Sequence, residues 1–294
     1  MKLREIIACF DAVSISPNAI ITQLKHEEDG EMYQVWRIDD GDAKYILKEA
    51  KERETETYQT ILAGLGEGIP ALYQAITHGE KTYLLMEYIA GEDLCKCDRR
   101  KLTRALDALI CLQKKTWENS GLDHCGYCFD RSLSQRRERG RYLRDEWLEK
   151  VYEQFLQVYQ AVPRALCHDD LLPFNVIASE HKAVLIDWEF GGILPYPVSF
   201  ARLIAHGQED AQALFYMTRE DRDFAVEYYY DRLLKEKGIS RAQWRQTLEY
   251  FLFYEYCEWV FVGNKYQATD GEYYRKYLPM AKQQAIKILQ MEKT

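Results

Sequence analysis

The sequence lacks long uncharged apolar runs and has no excess of basic residues. No stretch of its 294 residues reaches the roughly 18 consecutive apolar residues that span a bilayer. Charged residues also interrupt the amino-terminal MKLREIIACFDAV, unlike the apolar region of a signal peptide. Lysine and arginine number 39 against 47 acidic residues, whereas nucleic acids select basic surfaces. We therefore expect a cytoplasmic protein that binds neither membranes nor nucleic acids, and its net charge of −8 suits a small cationic ligand.

A paired set of metal-binding cysteine turns is also missing. The eight cysteines include CGYC at 125–128 and CKC at 95–97, whereas zinc knuckles normally pair two CxxC turns. A redox CxxC should open a helix after a strand, and residues 121–130 are typical of a loop. We expect reduced thiols, with a four-sulfur metal site as the minor alternative.

The first third of the chain has the period-two pattern of strands. Runs at 19–25, 32–38 and 44–48 are separated by HEEDGE and DDGD, which predicts a three-stranded antiparallel meander. A helix at 50–63 and two strands, at 71–77 and 82–88, are predicted to follow.

Long amphipathic helices are predicted in the rest of the chain, at 99–117, 132–160, 209–237, 241–262 and 273–291. The pattern indicates an α+β protein with a small antiparallel-sheet lobe at 1–88 and a large helical lobe at 89–294. A cleft between two such lobes is a natural ligand site.

Residues 165–190, ALCHDDLLPFNVIASEHKAVLIDWEF, interrupt the helical half with β-like pieces and polar side chains. His168, Asp170 and Asn175 form H-x-D-x-x-x-x-N, and Asp187 follows an apolar run. A carboxylate, an amide and a second carboxylate at these offsets can orient a hydroxyl and hold a hard cation. This combination is suited to phosphoryl transfer, in which positioning and charge neutralisation supply most of the acceleration.

A phosphate donor also needs a fixed positive charge. Lys48 ends the third predicted strand, where its side chain can point into the cleft. Its predicted anchor is Glu54 on the following helix, with Glu56 as the alternative. Such an ion pair would keep a buried lysine charged.

Five segments in this order resemble the aminoglycoside phosphotransferase and choline kinase family, which has a protein-kinase-like fold: YILK, ERETETYQTIL, YLLMEYIAGEDL, LCHDDLLPFNVI and LIDWEF. The resemblance runs over nearly the whole chain. It implies that Asp170 is the catalytic base, that His168 supports its loop, and that Asn175 and Asp187 bind Mg²⁺.

The same resemblance implies a nucleotide site at MEYIAGEDL, the connector between the lobes. The backbone of Glu87, Tyr88 and Ile89 would meet the adenine of ATP, with GTP as the alternative donor.

Three features depart from the family pattern. Asp169 stands where the family usually has glycine or asparagine, and Ser199 stands where it tends to have aspartate, so a contact that braces the loop is expected to be missing. The turn HEEDGE at 26–31 has one glycine and four acids, which predicts weaker phosphate binding than a glycine-rich loop gives.

The acceptor side is predicted from the aromatic helix near residue 255. Tyr254, Glu258 and Trp259 are candidates to face the cleft, because aromatic rings and carboxylates suit an ammonium group. Glu189 in DWEF is a further candidate, since choline-type members often have this glutamate. The basic stretch RRERGRYLR at 136–144 is expected to be a solvated helix face.

The predicted function is ATP-dependent phosphorylation of a hydroxyl on a small, cationic, aminoglycoside-like or choline-like molecule. A protein acceptor does not fit, because a helix is predicted soon after Asp187 and no APE-type motif follows. The alternative is a catalytically idle relative with a binding or structural role, as in spore-coat members. The residues predict no particular oligomeric state.

Overall fold

Five antiparallel strands form a sheet in the first third of the chain. The computed structural model describes residues 3–25, 30–267 and 271–291. The strands run in the order β1-β2-β3-β5-β4. Their bounds are β1 Ile20–Lys25, β2 Met32–Asp40, β3 Ala43–Ala50, β4 Leu72–His78 and β5 Lys81–Glu87. Helix α1 (Leu3–Ile7) precedes the sheet and α2 (Glu52–Thr60) follows β3. The predicted meander, and the two strands after it, are confirmed.

Helices dominate the remainder: α3 Arg99–Thr116, α4 Phe129–Gly140, α5 Glu146–Ala161, α6 Pro197–Ala205, α7 Arg219–Tyr229, α8 Arg241–Val262 and α9 Glu272–Met291. The α+β, kinase-like two-lobe class predicted from the sequence is confirmed. The lobe boundary at residues 88 and 89 stays a prediction. Within the described ranges, no helix combines the length and apolar character needed to cross a membrane.

Two predicted helices differ from the observed ones. The single helix expected at 132–160 is two helices, because Arg144 takes a left-handed φ of 56° and Asp145 caps a new start at α5. The helix expected at 209–237 begins only at Arg219, after Thr218 caps it by accepting a hydrogen bond from the backbone N–H of Asp221. A turn of π-helix, Tyr230–Leu234, completes that element.

Short strands hold the polar segment inside the helical half. They are β6 Glu92–Asp93, β7 Arg164–His168, β8 Val176–Ala178, β9 Ala183–Leu185 and β10 Gly191–Pro195. β7 pairs with β10, and β8 pairs with β6 and β9. The polar side chains lie at the ends of these strands, in the loops between β7 and β8 and between β9 and β10. A Cβ at Gly192 would lie 2.1 Å from the carbonyl oxygen of Tyr127, so only glycine allows the CGYC segment to approach β10 this closely.

Candidate active site

Lys48 joins the sheet to the helical part of the chain. Leu47, its neighbour on β3, is fully buried, and strand alternation sends Lys48 to the opposite face. Its Nζ lies 2.7 Å from Glu54 Oε1 and 2.7 Å from Asp187 Oδ1. Burial lowers the pKa of Lys48, but the two carboxylates outweigh this effect and raise it, so the ammonium stays charged. Of the two predicted anchors, Glu54 makes the contact and Glu56 is exposed.

Asp187 and Asn175 provide oxygen atoms on two adjoining loops. Asp187 directly follows Ile186 after β9 and has left-handed backbone angles, with φ 64° and ψ 58°. Burial raises the pKa of Asp187, but the charge of Lys48 lowers it by more. Asn175 Nδ2 donates to the carbonyl of Asp170 at 2.7 Å, and the N–H of Ile186 donates to the carbonyl of Asn175 at 2.9 Å. Asn175 therefore joins the loop of Asp170 to the loop of Asp187.

This donor set fits a hard cation such as Mg²⁺. The side-chain oxygen of Asn175 accepts no hydrogen bond from a described residue, because its amide nitrogen makes the contact with Asp170. In the described part of the chain no group of three or more His, Cys, Asp or Glu side chains is arranged to hold a metal. Magnesium typically needs only one or two protein oxygens, since phosphates and water complete its coordination. A carboxylate and an amide therefore suffice.

His168 is a neutral, fully buried link between the same loops. Its Nε2 lies 2.8 Å from the carbonyl of Ile186, and its Nδ1 accepts from the N–H of Asp170 at 3.2 Å. These contacts require a proton on Nε2 and none on Nδ1. Burial lowers the pKa of His168, which keeps this tautomer uncharged at neutral pH.

Ser199 supplies the brace that was expected to be missing. Its Oγ accepts from the N–H of His168 at 2.7 Å and donates to the carbonyl of His168 at 3.3 Å. The expectation was wrong because a hydroxyl, which both donates and accepts, satisfies both backbone groups of His168 from helix α6.

Asp170 is about one third exposed, and one of its oxygens is taken by an arginine that the sequence did not single out. Arg202 Nη2 donates to Asp170 Oδ1 at 3.1 Å, and the side chain of Asp170 is 34% exposed. Burial raises the pKa of Asp170 by more than Arg202 lowers it.

Asp169 points to a different partner from Asp170. Arg136 Nη1 donates to Asp169 Oδ2 at 3.0 Å, and Arg136 Nη2 donates to Asp169 Oδ1. The guanidinium of Arg136 is fully buried between the rings of Tyr159 and Tyr254, 4.6 Å and 4.4 Å from their centroids. The prediction of a solvated face at 136–144 is wrong at this position. The helical spacing of Ser132, Leu133 and Arg136 was the signal for a buried face.

The four residues predicted to bind the acceptor differ in their surroundings. Glu258 contacts Arg139 at 2.6 Å and Arg202 at 2.8 Å. Burial raises the pKa of Glu258, but these arginines dominate and lower it to about 2. Tyr254 is fully buried and stacks on Phe155.

Trp259 and Glu189 complete this set. Trp259 Nε1 donates to Nε2 of His206 at 3.2 Å, and its ring stacks on Tyr277 at 5.7 Å. Glu189 pairs with Lys51, which precedes α2, at 2.6 Å. Glu258 thus connects to Asp170 through Arg202, whereas Glu189 lies on the Lys48 side of the site.

The connector places backbone groups beside the end of the sheet. The N–H of Glu87 donates to the carbonyl of Ala71 at 2.9 Å, and the Glu87 carboxylate pairs with Lys182 at 2.9 Å. The ring of Tyr88 lies 5.6 Å from Lys44 Nζ. The N–H of Ile89 makes no hydrogen bond with any described residue.

Disulfides do not join any cysteines in the described ranges. Residues 26–29 of the turn HEEDGE lie outside the described residues, so the prediction of weaker phosphate binding there stays a prediction.

The solved structures that are similar to this chain include a small-molecule kinase and aminoglycoside phosphotransferases. The aminoglycoside phosphotransferase of Alicyclobacillus acidocaldarius aligns with all of this chain and 97% of its own, at 13% identity and a TM-score of 0.64. An ethanolamine kinase of Plasmodium vivax aligns over 90% of this chain and 82% of its own, at 14% identity and a TM-score of 0.62. A mutant of aminoglycoside phosphotransferase APH(4)-Ia, in complex with AMP-PNP and hygromycin B, covers 98% of both chains at 13% identity and a TM-score of 0.59. These likenesses show a kinase-like fold.

The sequence itself identifies the family. The profile of the phosphotransferase enzyme family (APH) matches residues 22–234, and the chain belongs to this family. Protein LicA of Haemophilus influenzae is 26% identical over 143 residues, which are 49% of this chain and 50% of LicA. A second LicA sequence from the same species is 25% identical over 143 residues, which are 40% of its length. The match thus spans half or less of the curated relatives.

Proposed function

We propose that the protein is a magnesium-dependent kinase that transfers the γ-phosphate of ATP to a hydroxyl of a small molecule carrying one ammonium group. The observation that carries this proposal is the double contact of Lys48 with Glu54 and Asp187, 2.7 Å each. A partly buried lysine held in this way is the phosphate-binding group of kinases. The loop of Asp187 is in turn joined to the loop of Asp170.

Each of these residues has one task in the proposed reaction. Lys48 binds the phosphates of ATP, and Asp170 accepts the proton of the acceptor hydroxyl. The hydroxyl oxygen forms a bond to the γ-phosphorus while the bond from that phosphorus to the β–γ bridging oxygen breaks, and ADP leaves. Asn175 and Asp187 would hold Mg²⁺, whose positive charge neutralises the phosphates.

The nucleotide would bind at the connector. Ile89 offers an N–H without a partner among the described residues, and Glu87 and Tyr88 lie beside it at the end of β5. An adenine edge needs such a backbone donor next to a carbonyl acceptor. The complexes of APH(4)-Ia with AMP-PNP and with ADP support an adenine nucleotide as donor, with GTP as the alternative.

The charges near Asp170 favour an acceptor with a single positive charge. Four carboxylates lie in this region, from Asp169, Asp170, Glu255 and Glu258, and three guanidiniums pair with them, from Arg136, Arg139 and Arg202. One negative charge is therefore left over. One ammonium balances this charge, whereas a polycation would bring more positive charge than the site can neutralise.

Aromatic rings provide a surface for that ammonium. Trp259, Tyr273 and Tyr277 form one cluster, with Trp259 4.8 Å from Tyr273. Ring faces attract an ammonium once water is excluded. Ethanolamine, the substrate in the name of the Plasmodium vivax neighbour, is an amino alcohol with one such group. We propose that the enzyme works in the cytoplasm, where ATP is available.

Binding and turnover test this proposal separately. Mg-ATP should raise the melting temperature of the wild-type protein. ADP should form when ethanolamine or choline is added, and more slowly with kanamycin. Asp170→Asn should abolish turnover and keep the thermal shift, whereas Asp187→Asn should lose the shift because a magnesium ligand is gone. Near-normal turnover in both variants would show that the site is misplaced. No thermal shift of the wild type with either Mg-ATP or Mg-GTP would favour the idle binding or structural relative.

A further inference from the structure

A buried arginine on α6 contacts the residue to which the proposed function assigns proton transfer. The side chain of Arg202 is 9% exposed, and its Nη2 donates to Asp170 Oδ1 at 3.1 Å. Its Nη1 donates to Glu255 Oε2 and to Glu258 Oε2, both at 2.8 Å. Both glutamates lie on α8. The planar guanidinium is therefore fixed by two carboxylates on one side and faces Asp170 with the other nitrogen.

Helix α6 makes two contacts, from the same face, with the loop that begins at His168 and Asp170. Ser199 and Arg202 are three residues apart, so their side chains are neighbours on the helix surface. Ser199 holds the backbone of His168, and Arg202 holds the carboxylate of Asp170. The loop is thereby fixed in both its main chain and its reactive side chain.

We infer that Arg202 is the positioning residue of Asp170: it orients the carboxylate through Oδ1 and leaves Oδ2 to take the proton of the acceptor hydroxyl. Glu255 and Glu258 in turn position Arg202. This inference rests on the proposed function, and it adds a residue that the sequence motifs do not include.

The electrostatics of the cluster agree with this role. Burial alone raises the pKa of Asp170, and a base that is protonated at neutral pH cannot accept a proton. Arg202 on α6, His168 at the end of β7 and Glu258 on α8 are among the groups that act on Asp170. His168 is neutral, and the pKa of Glu258 is lowered to about 2, so neither titrates near neutral pH. The guanidinium of Arg202, 3.1 Å from Oδ1, is thus the positive charge that favours the ionised form of Asp170.

The test compares Arg202→Gln and Arg202→Lys with the wild type in ADP production, with ethanolamine as the acceptor and with Mg-ATP and the acceptor varied in turn. Arg202→Gln should lower kcat by about tenfold or more, because the carboxylate is no longer held in one orientation. Arg202→Lys keeps the positive charge but loses the planar, forked guanidinium, so kcat should fall here too, but by less than in Arg202→Gln. The KM for Mg-ATP should not change in either variant. Arg219→Gln, which removes an exposed arginine paired with Asp223, is the matched control and should behave as wild type.

A second measurement decides the question without turnover. The ¹³Cγ resonance of Asp170, assigned with Asp170→Asn, reports the surroundings of this carboxyl directly. At pH 7 it should move in Arg202→Gln and keep its wild-type position in Arg219→Gln. If Arg202→Gln unfolds, the double variant Arg202→Met with Glu255→Gln removes one charge of each sign and serves in its place. An unmoved Asp170 resonance, or a wild-type kcat in Arg202→Gln, would overturn the inference. A wild type that phosphorylates no acceptor would instead refute the proposed function, and the ¹³C comparison would still test Arg202.

Discussion

Replacing Asp169 by asparagine distinguishes the roles of the two adjacent aspartates in HDD. Asp169 should stabilise the fold, and Asp170 should perform the chemistry. Asp169 balances the guanidinium of Arg136, which is fully buried and sandwiched between two tyrosine rings. Asp169→Asn leaves that positive charge buried without a counterion. Removing one partner of a buried ion pair costs about 3–5 kcal/mol. For a chain of this size the loss lowers the melting temperature by about 10 °C.

Asp170→Asn is the matched control, because it is the same substitution one residue further along. Arg202 keeps Glu255 and Glu258 as partners when Asp170 loses its charge. Because burial raises the pKa of Asp170, its ionised form costs folding free energy above that pKa. The neutral asparagine should therefore leave stability unchanged or increase it, while turnover is lost.

Urea unfolding followed by far-UV circular dichroism measures both free energies under the same conditions. The double variant Asp169→Asn with Arg136→Met should recover a large part of the loss, because no charge is left buried. A loss below about 1 kcal/mol in Asp169→Asn, which is typical of an exposed pair, would refute the assignment of Asp169 to the buried pair.

Three further predictions concern pH, the loop brace and the nucleotide. The pKa of Glu258 is lowered to about 2, so its contribution is present above the unfolded pKa near 4.5 and is lost as the pH falls toward 2. Glu258→Gln should lose about 3 kcal/mol at pH 7 and be as stable as the wild type at pH 2, as measured by denaturant unfolding. Ser199→Ala should lose about 1–3 kcal/mol in the same assay, because it leaves the buried N–H of His168 without its partner. Lys48→Met should lose the thermal shift with Mg-ATP, and a retained shift would show that Lys48 does not bind the phosphates.

Local patterns predicted the sheet and the contact between Lys48 and Glu54. Alternation placed Lys48 opposite the buried Leu47, and helical spacing placed Glu54 within its reach. The contact from Lys48 to Asp187 spans 139 positions, and only the order of the motifs indicated it. The contact between Lys48 and Glu54, which are six residues apart, can be derived from spacing, whereas the distant contact needed the family resemblance.

The buried arginines could not be predicted in this way. Arg136 occurs in a run of charged residues, and the rings that enclose it come from α5 and α8. Arg202 follows two apolar residues on α6, and its partners on α8 lie more than fifty positions away. A solvated arginine and a buried arginine cannot be distinguished from the local sequence, because they differ in the partners that other helices supply.

The three-residue interval from Ser199 to Arg202 makes α6 sensitive to changes in length. Each residue turns an α-helix by about 100°. One residue inserted between Ser199 and Arg202 would rotate the guanidinium to another side of the helix, while Ser199 kept hold of the backbone of His168. Relatives that keep the Asp170 loop and the Ser199 contact but change the interval to Arg202 would need a different cation beside the carboxylate. Insertions and deletions should therefore be rejected within this single turn.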